Sequence, residues 1–372
     1  MSSVFKEAYK IDLTETIQIQ KKIILVAGIF SIVVYLSLKN KGYPLSSDKY
    51  LHTSFLIVVA FAFAAFSLAE PAETSCPATT PADKGGMSLS QAAILGLVEG
   101  LTEYLPVSST GHLLLAQRVM GIGESPSVLP IEKERRKNAA NAYVICIQAG
   151  AIIAVLWLYL KHVGQIVMGF LGKDRAGFRM GLNLITGFLP AAAIGLLCYD
   201  LIKTYLFGLW PIVAAWLTGG LAILAVARHQ KSDRWETREG KGLADMDLKM
   251  ALIIGVAQCV AMWPGMSRSL VTILGGMAVG LSMSAAVEFS FLLGVVTLGA
   301  ATLFDALKHG PVMIETFSFL SLTLGFIFAF LSAIVSINWM VSYLNRHGLA
   351  IFGYYRLVLA ITVALLLLTH QL

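Results

Sequence analysis

The uncharged stretches of this chain decide what it can become. From Thr316 to Asn345 there is no Asp, Glu, Lys, Arg or His, and a helix needs about 20 predominantly apolar residues to cross a bilayer's hydrocarbon core. Asn138–Leu160, Met180–Tyr199 and Thr204–Ala227 are equally free of charge. Phe289–Phe304 is slightly short but is extended by apolar residues before Glu288, and Leu349–Thr369 is interrupted only by Arg356. These six stretches predict six transmembrane helices. Hydrophobic residues make up 57% of the chain and charged residues 13%, against about 25% charged in soluble domains. So few charges cannot cover a soluble surface, which excludes a soluble enzyme, a disordered chain and a nucleic-acid binder. The net charge of +6 reads as loop lysines and arginines facing anionic headgroups. The four cysteines give no disulfide framework, since Cys146, Cys198 and Cys259 sit in apolar stretches and only Cys76 in a polar one.

Two further apolar regions are interrupted. Met87–Gln117 carries Glu99, Glu103 and His112, with Pro106 in its middle; Met250–Val287 carries Arg268, with Pro264-Gly265 in its middle. Proline breaks the i→i−4 ladder, and freed backbone at membrane depth is tolerated only where protein or a cavity surrounds it. Each region therefore predicts two short helices around a break, a re-entrant hairpin rather than a crossing. Setting Gly96 against Gly255 aligns Glu99 with Gln258, Tyr104 with Trp263, and Ser108-Ser109-Thr110 with Ser267-Arg268-Ser269. Corresponding interruptions of this kind point to an inverted repeat, with a site near the midplane where the broken helices meet. The expected fold class is all-α: a polytopic membrane protein of six or more transmembrane helices plus two broken hairpins.

Residues 1–86 read as an addition to a main domain at 87–372. Ile23–Leu38 and Thr53–Ala69, flanked by lysines, suit a two-helix membrane hairpin, and Pro71, Pro77 and Pro81 among Thr and Ser suit a linker. A processed targeting segment ending near Leu68-Ala69-Glu70 fits less well, because its apolar run starts far from the N-terminus. The positive-inside rule places the loops at 161–179 and 228–249 in the cytoplasm. It does not settle the 121–137 loop, where Lys133, Arg135, Arg136 and Lys137 are offset by Glu124, Glu132 and Glu134.

An ionisable residue at the bilayer centre costs about 2.5–3.5 kcal/mol, so Glu99, Glu103, His112 and Arg268 need a reason to be there. Glu99 and Glu103 share one helix face, where like charges repel. A cation resolves the conflict: Arg268, or a divalent metal held by carboxylate oxygens. The plainer readings are a solvated glutamate face, a core histidine, serines bonded to backbone carbonyls, and Arg268 as a structural counter-ion. The apolar surroundings weigh against the first of these. Glu288 and Arg356 read as helix-end charges, Arg356 being close enough to one end to snorkel. Pro106 is expected to end one helix and Ser108 to cap the next, whose free N–H groups form an anion site. The second break repeats this arrangement and adds Arg268, whose planar fork suits phosphate oxygens. Together these groups make a phosphate-handling constellation, suited to a lipid whose diphosphate enters while its tail stays among the spans.

At these residues the sequence resembles the bacterial undecaprenyl-diphosphate phosphatase family, the integral-membrane enzymes linked to bacitracin resistance. Two motifs carry the likeness: Glu99-Gly-Leu-Thr-Glu103 running into Leu105-Pro106-Val-Ser-Ser-Thr-Gly-His112, and Pro264-Gly265-Met266-Ser267-Arg268-Ser269-Leu270-Val271-Thr272. Gly353-Tyr354-Tyr355-Arg356 is a weaker third match. Leu270 stands where the pattern has glycine and Met266 where it has threonine, which bears on substrate range more than on reaction type. The resemblance spans about Met87 to Leu372 and implies removal of the terminal phosphate from a polyprenyl diphosphate, recycling the carrier lipid of cell-wall synthesis. It further implies a multi-pass protein of the bacterial cell membrane, a divalent cation (magnesium or calcium) and a site opening toward the outer face. Carried over residue by residue, Glu99 and Glu103 hold the metal or position water, and His112 is general acid or base. Ser109 is the first choice of nucleophile and Ser108 the second, with attack by water left open. Arg268 clamps phosphate, with Ser267, Ser269, Thr110 and Thr272 as further phosphate ligands. A homo-oligomer is left open. The rival reading is a transporter or flippase for a phosphorylated lipid, since broken helices in repeats suit alternating access equally well.

Overall fold

The computed structural model describes residues 87–122, 130–230 and 240–371. The N-terminal hairpin and linker expected over 1–86 lie outside these residues, as does Cys76. Eleven α-helices and no strand occur among the described residues.

Helix α1 (Leu89–Thr102) starts at Ser88. The Ser88 hydroxyl accepts from the Gln91 amide at 3.2 Å and the Gln91 side chain accepts from the Ser88 amide at 2.8 Å, a reciprocal cap. The helix stops at Thr102 because Pro106 has no N–H to offer that carbonyl and its ring crowds it. Turns through Glu103–Val107 lead into α2 (Ser109–Val119). Next come α3 (Pro130–Leu158) and α4 (Leu160–Phe170), bent by 81° at Tyr159. The single span expected over Asn138–Leu160 is therefore corrected. The helix begins earlier, so Lys133, Arg135, Arg136 and Lys137 lie on α3 rather than in a loop, and the residues after Tyr159 form a second helix laid back against the next one.

That next helix is α5 (Arg175–Tyr205), capped by Asp174, whose carboxylate accepts from the Ala176 and Gly177 amides at 2.9 and 3.0 Å. It is followed by α6 (Leu209–Gln230) and α7 (Leu248–Gln258), the latter capped by Asp247. After a 3₁₀ turn at Cys259–Met262 the chain passes Pro264-Gly265 and enters α8 (Arg268–Ala278). The last three helices are α9 (Met283–Thr316), α10 (Phe319–His347) and α11 (Ala350–Leu368).

Helices α5, α6, α9, α10 and α11 are each long and apolar enough to cross a membrane, and the α3–α4 pair, bent by 81°, makes a sixth when counted as one broken span. Leu196, Leu197, Leu307 and Phe319 point outward and exposed, which suits lipid and not water. By contrast α1, α2, α7 and α8 are too short to cross. They pair as the two expected hairpins, α1 with α2 and α7 with α8.

The internal repeat is visible in the packing. Helix α1 lies on α10 as α7 lies on α5, while α3 meets α9 and α6 meets α11. The aligned glycines mark the two close approaches. A Cβ on Gly96 would collide with the Gly325 backbone, and one on Gly255 with the Gly187 backbone. Backbone torsions agree as well: Ser108 (φ 74, ψ 102) and Ser267 (φ 75, ψ 116) share a left-handed-side conformation rare for a residue with a side chain. With the bent α3–α4 pair counted as one span, each half holds one hairpin and three spans, the odd number of crossings that an inverted repeat requires.

Candidate active site

The two breaks meet inside the bundle. The Leu105 carbonyl accepts from Ser269 Oγ at 2.9 Å and from Ser267 Oγ at 3.4 Å. Trp216 of α6 donates its indole N–H to the Val107 carbonyl at 3.1 Å. These bonds satisfy carbonyls that the broken helices leave without partners, as buried backbone requires.

Glu103 sits at the centre of this meeting point, 6% exposed. Ser109 donates its hydroxyl to Glu103 Oε2 in a short hydrogen bond. Arg268 Nη2 is 3.4 Å from Glu103 Oε1, and Gln148 of α3 reaches Oε2 at 3.4 Å while accepting from Thr302 of α9 at 3.4 Å. One carboxylate thus joins both halves of the repeat.

Arg268 is held from three further sides. Its Nη1 donates to the Ser290 carbonyl at 2.7 Å, and its guanidinium carbon lies 5.4 Å from the centre of the Tyr104 ring. Gly294 provides the slot, since a Cβ there would run into the guanidinium. Gly294→Ala is expected to displace the arginine and lower kcat/KM about tenfold, with the protein's melting temperature little changed; steady-state kinetics beside a thermal melt checks this.

Glu99 lies one helical turn before Glu103, is 1% exposed, and neither of its carboxylate oxygens has a hydrogen-bond partner. The Tyr104 hydroxyl and Arg268 Nε are likewise buried without a partner. A carboxylate buried this way is costly unless something meets it. Among the described residues no cluster of three or more His, Cys, Asp or Glu forms a metal cage. Two neighbouring carboxylates would nevertheless suit magnesium or calcium, hard cations that take oxygen ligands.

Other expectations change in detail. Ser108 occupies the N-cap position of α2 but its side chain makes no capping bond; its positive φ instead directs its carbonyl to His112 Nδ1 at 2.6 Å. Helix α2 therefore begins with amides that no side chain caps, a donor set suited to an anion. His112, one turn after Ser109, is turned toward Tyr355, whose hydroxyl lies 2.7 Å from Nε2. The group bonded to the Ser109 hydroxyl is the Glu103 carboxylate. Three of the expected phosphate ligands are engaged inside the protein: Ser267 and Ser269 with Leu105 and each other, Thr272 with the Arg268 carbonyl at 2.8 Å and Ser290 Oγ at 2.6 Å. Thr110 is only partly buried at the start of α2. Leu270 is buried in the main apolar core, so the exchange of glycine for leucine acts on packing.

The largest correction concerns Arg356. It does not snorkel; it is 0% exposed. Its guanidinium donates to the carbonyls of Pro106 (3.2 Å), Gly265 (2.8 Å), Ala215 (2.8 Å) and Trp216 (3.4 Å), tying both breaks to α6. Gly219 opens the space it fills. Glu288, by contrast, stays near the start of α9 in a surface contact with Ser284. Sequence reasoning missed Gln148, Ser290, Trp216 and the roles of Tyr104 and Tyr355, because uncharged side chains in apolar helices give no signal. Arg356 did give one, as a lone charge in the last span.

A family model described as Bacitracin resistance protein BacA matches residues 92–362. The chain belongs to this family. Every element of the site, from Glu99 to Arg356, lies inside the matched residues. Among similar proteins, one named undecaprenyl-diphosphatase from Sorangium cellulosum is 41% identical over 275 residues, covering 73% of this chain and 84% of the relative. Undecaprenyl-diphosphatase 2 of Rhodospirillum rubrum is 41% identical over 275 residues, covering 74% and 93%. Undecaprenyl-diphosphatase 3 of Acinetobacter baylyi is 37% identical over 285 residues, covering 76% and 100%.

Proposed function

We propose that this membrane protein hydrolyses undecaprenyl diphosphate to the monophosphate and inorganic phosphate, recycling a carrier lipid of cell-wall synthesis. The names of its relatives support the substrate. The observation that carries the chemistry is the single buried carboxylate of Glu103, shared between the Ser109 hydroxyl and the Arg268 guanidinium. A transporter needs groups that bind phosphate; a hydroxyl paired with a carboxylate at a helix N-terminus adds the parts of a nucleophile.

Arg268 holds the terminal phosphoryl group, and the uncapped amides of α2, with Thr110, face its oxygens. Ser109 Oγ attacks phosphorus while its proton passes to Glu103. The Oγ–P bond forms, the bridging P–O bond breaks, and the lipid monophosphate leaves. Water then cleaves the Oγ–P bond and releases inorganic phosphate, restoring the serine. His112, one turn along α2, exchanges a proton at Nε2 with the phosphate side. Phosphoryl transfer asks mainly for such positioning and charge neutralisation.

Glu99 and Glu103 would hold magnesium or calcium, which when bound neutralises diphosphate oxygens. The site belongs to the bacterial cell membrane, opening toward its outer face, with the polyprenyl tail among the spans. Purified protein is expected to release phosphate from undecaprenyl diphosphate in the presence of magnesium or calcium. A chelator should stop release and added metal restore it. Uptake of a phosphorylated lipid by proteoliposomes without phosphate release would overturn the reading.

A further inference from the structure

The last helix brings a tyrosine to the histidine. A carbonyl can only accept, so the 2.6 Å contact between the Ser108 carbonyl and His112 requires hydrogen on Nδ1. Nε2 of the neutral ring then carries a lone pair, and the Tyr355 hydroxyl at 2.7 Å is its donor. The two rings are parallel within 7°, with centres 5.7 Å apart, and Trp216 meets the imidazole edge-on at 5.5 Å. The imidazole is therefore fixed at both nitrogens and on two sides of its ring. The three holding groups, Ser108, Trp216 and Tyr355, come from the first break, α6 and α11.

We propose that Tyr355 is a positioning residue that acts through His112, its hydroxyl fixing Nε2 as the nitrogen at which the histidine exchanges its proton. A phenol suits this task because it both donates and accepts. Once Nε2 is protonated, the Tyr355 hydroxyl turns and accepts from the new N–H. The ring stays in place in both protonation states. A phenylalanine would preserve the stacked ring and lose only the oxygen.

This inference rests on the phosphatase reading, and the test separates the two. Tyr355→Phe is expected to lower kcat for undecaprenyl diphosphate about 10- to 100-fold, with KM changed less than about twofold. In a His112→Gln background the same substitution should change kcat less than about twofold, because a residue acting through His112 has nothing left to act on. Full kcat in Tyr355→Phe, or effects of the two substitutions that multiply, would overturn the proposal. A further measurement needs no variant: ¹⁵N signals of the His112 ring in bilayer-embedded protein should show a protonated Nδ1 and a hydrogen-bonded lone pair on Nε2. The opposite tautomer would overturn it. If wild-type protein releases no phosphate from undecaprenyl diphosphate, the substrate reading fails, and the ring measurement still decides the arrangement of Tyr355 and His112.

Discussion

Replacing Glu103 by glutamine is expected to lower kcat about 10³-fold. The amide is nearly the same size, so the break should keep its shape, while the loss of the counter-charge of Arg268 lowers the melting temperature without unfolding the protein. What disappears is the carboxylate that accepts the Ser109 hydrogen bond and the negative charge facing Arg268. Ser109→Ala should fall to a similar residual rate, and the double variant should be no worse than either single one, since the two groups act as a unit. Phosphate release measured on the three proteins checks this. Activity of Glu103→Gln within tenfold of wild type would remove Glu103 from the role of base.

Arg356→Leu is expected to cost stability on the order of 5 kcal/mol, because four buried carbonyls lose their donor together. Two of those carbonyls, of Pro106 and Gly265, belong to the two breaks, so the site should come apart with the fold. Lysine in this place restores the charge but not the planar fork, and recovers only part of the loss. Thermal unfolding in detergent measures the effect, with Glu288→Gln as the contrast: that charge sits in an exposed contact with Ser284 and its loss should be nearly neutral. A folded, fully active Arg356→Leu protein would show that the clasp is dispensable.

Much of this was legible in the residues. The uncharged runs gave the spans, because lipid leaves a backbone few choices. Pro106 and Pro264-Gly265 gave the breaks, and the alignment of Gly96 with Gly255 gave the repeat, later matched by the two glycine approaches and the paired torsions of Ser108 and Ser267. The bend at Tyr159 was not legible, since Asn138–Leu160 and the residues after it are both helical in pattern and only packing against α5 turns the second helix aside. The role of Arg356 was misread for a similar reason. A lone cation near the end of an apolar helix looks alike whether it reaches water or carbonyls, and the acceptors here come from residues 91 to 250 positions away.

By itself the sequence determined the medium, the broken helices and the short list of charged groups, because scarcity of charge in lipid makes each exception informative. Only the tertiary structure decided the partners. It paired Ser109 with Glu103 and His112 with Tyr355, and it turned Ser267, Ser269 and Thr272 inward. A hydrogen bond depends on which atoms the folded helices bring within 3 Å, and spacing along one helix fixes only the residues that share its face.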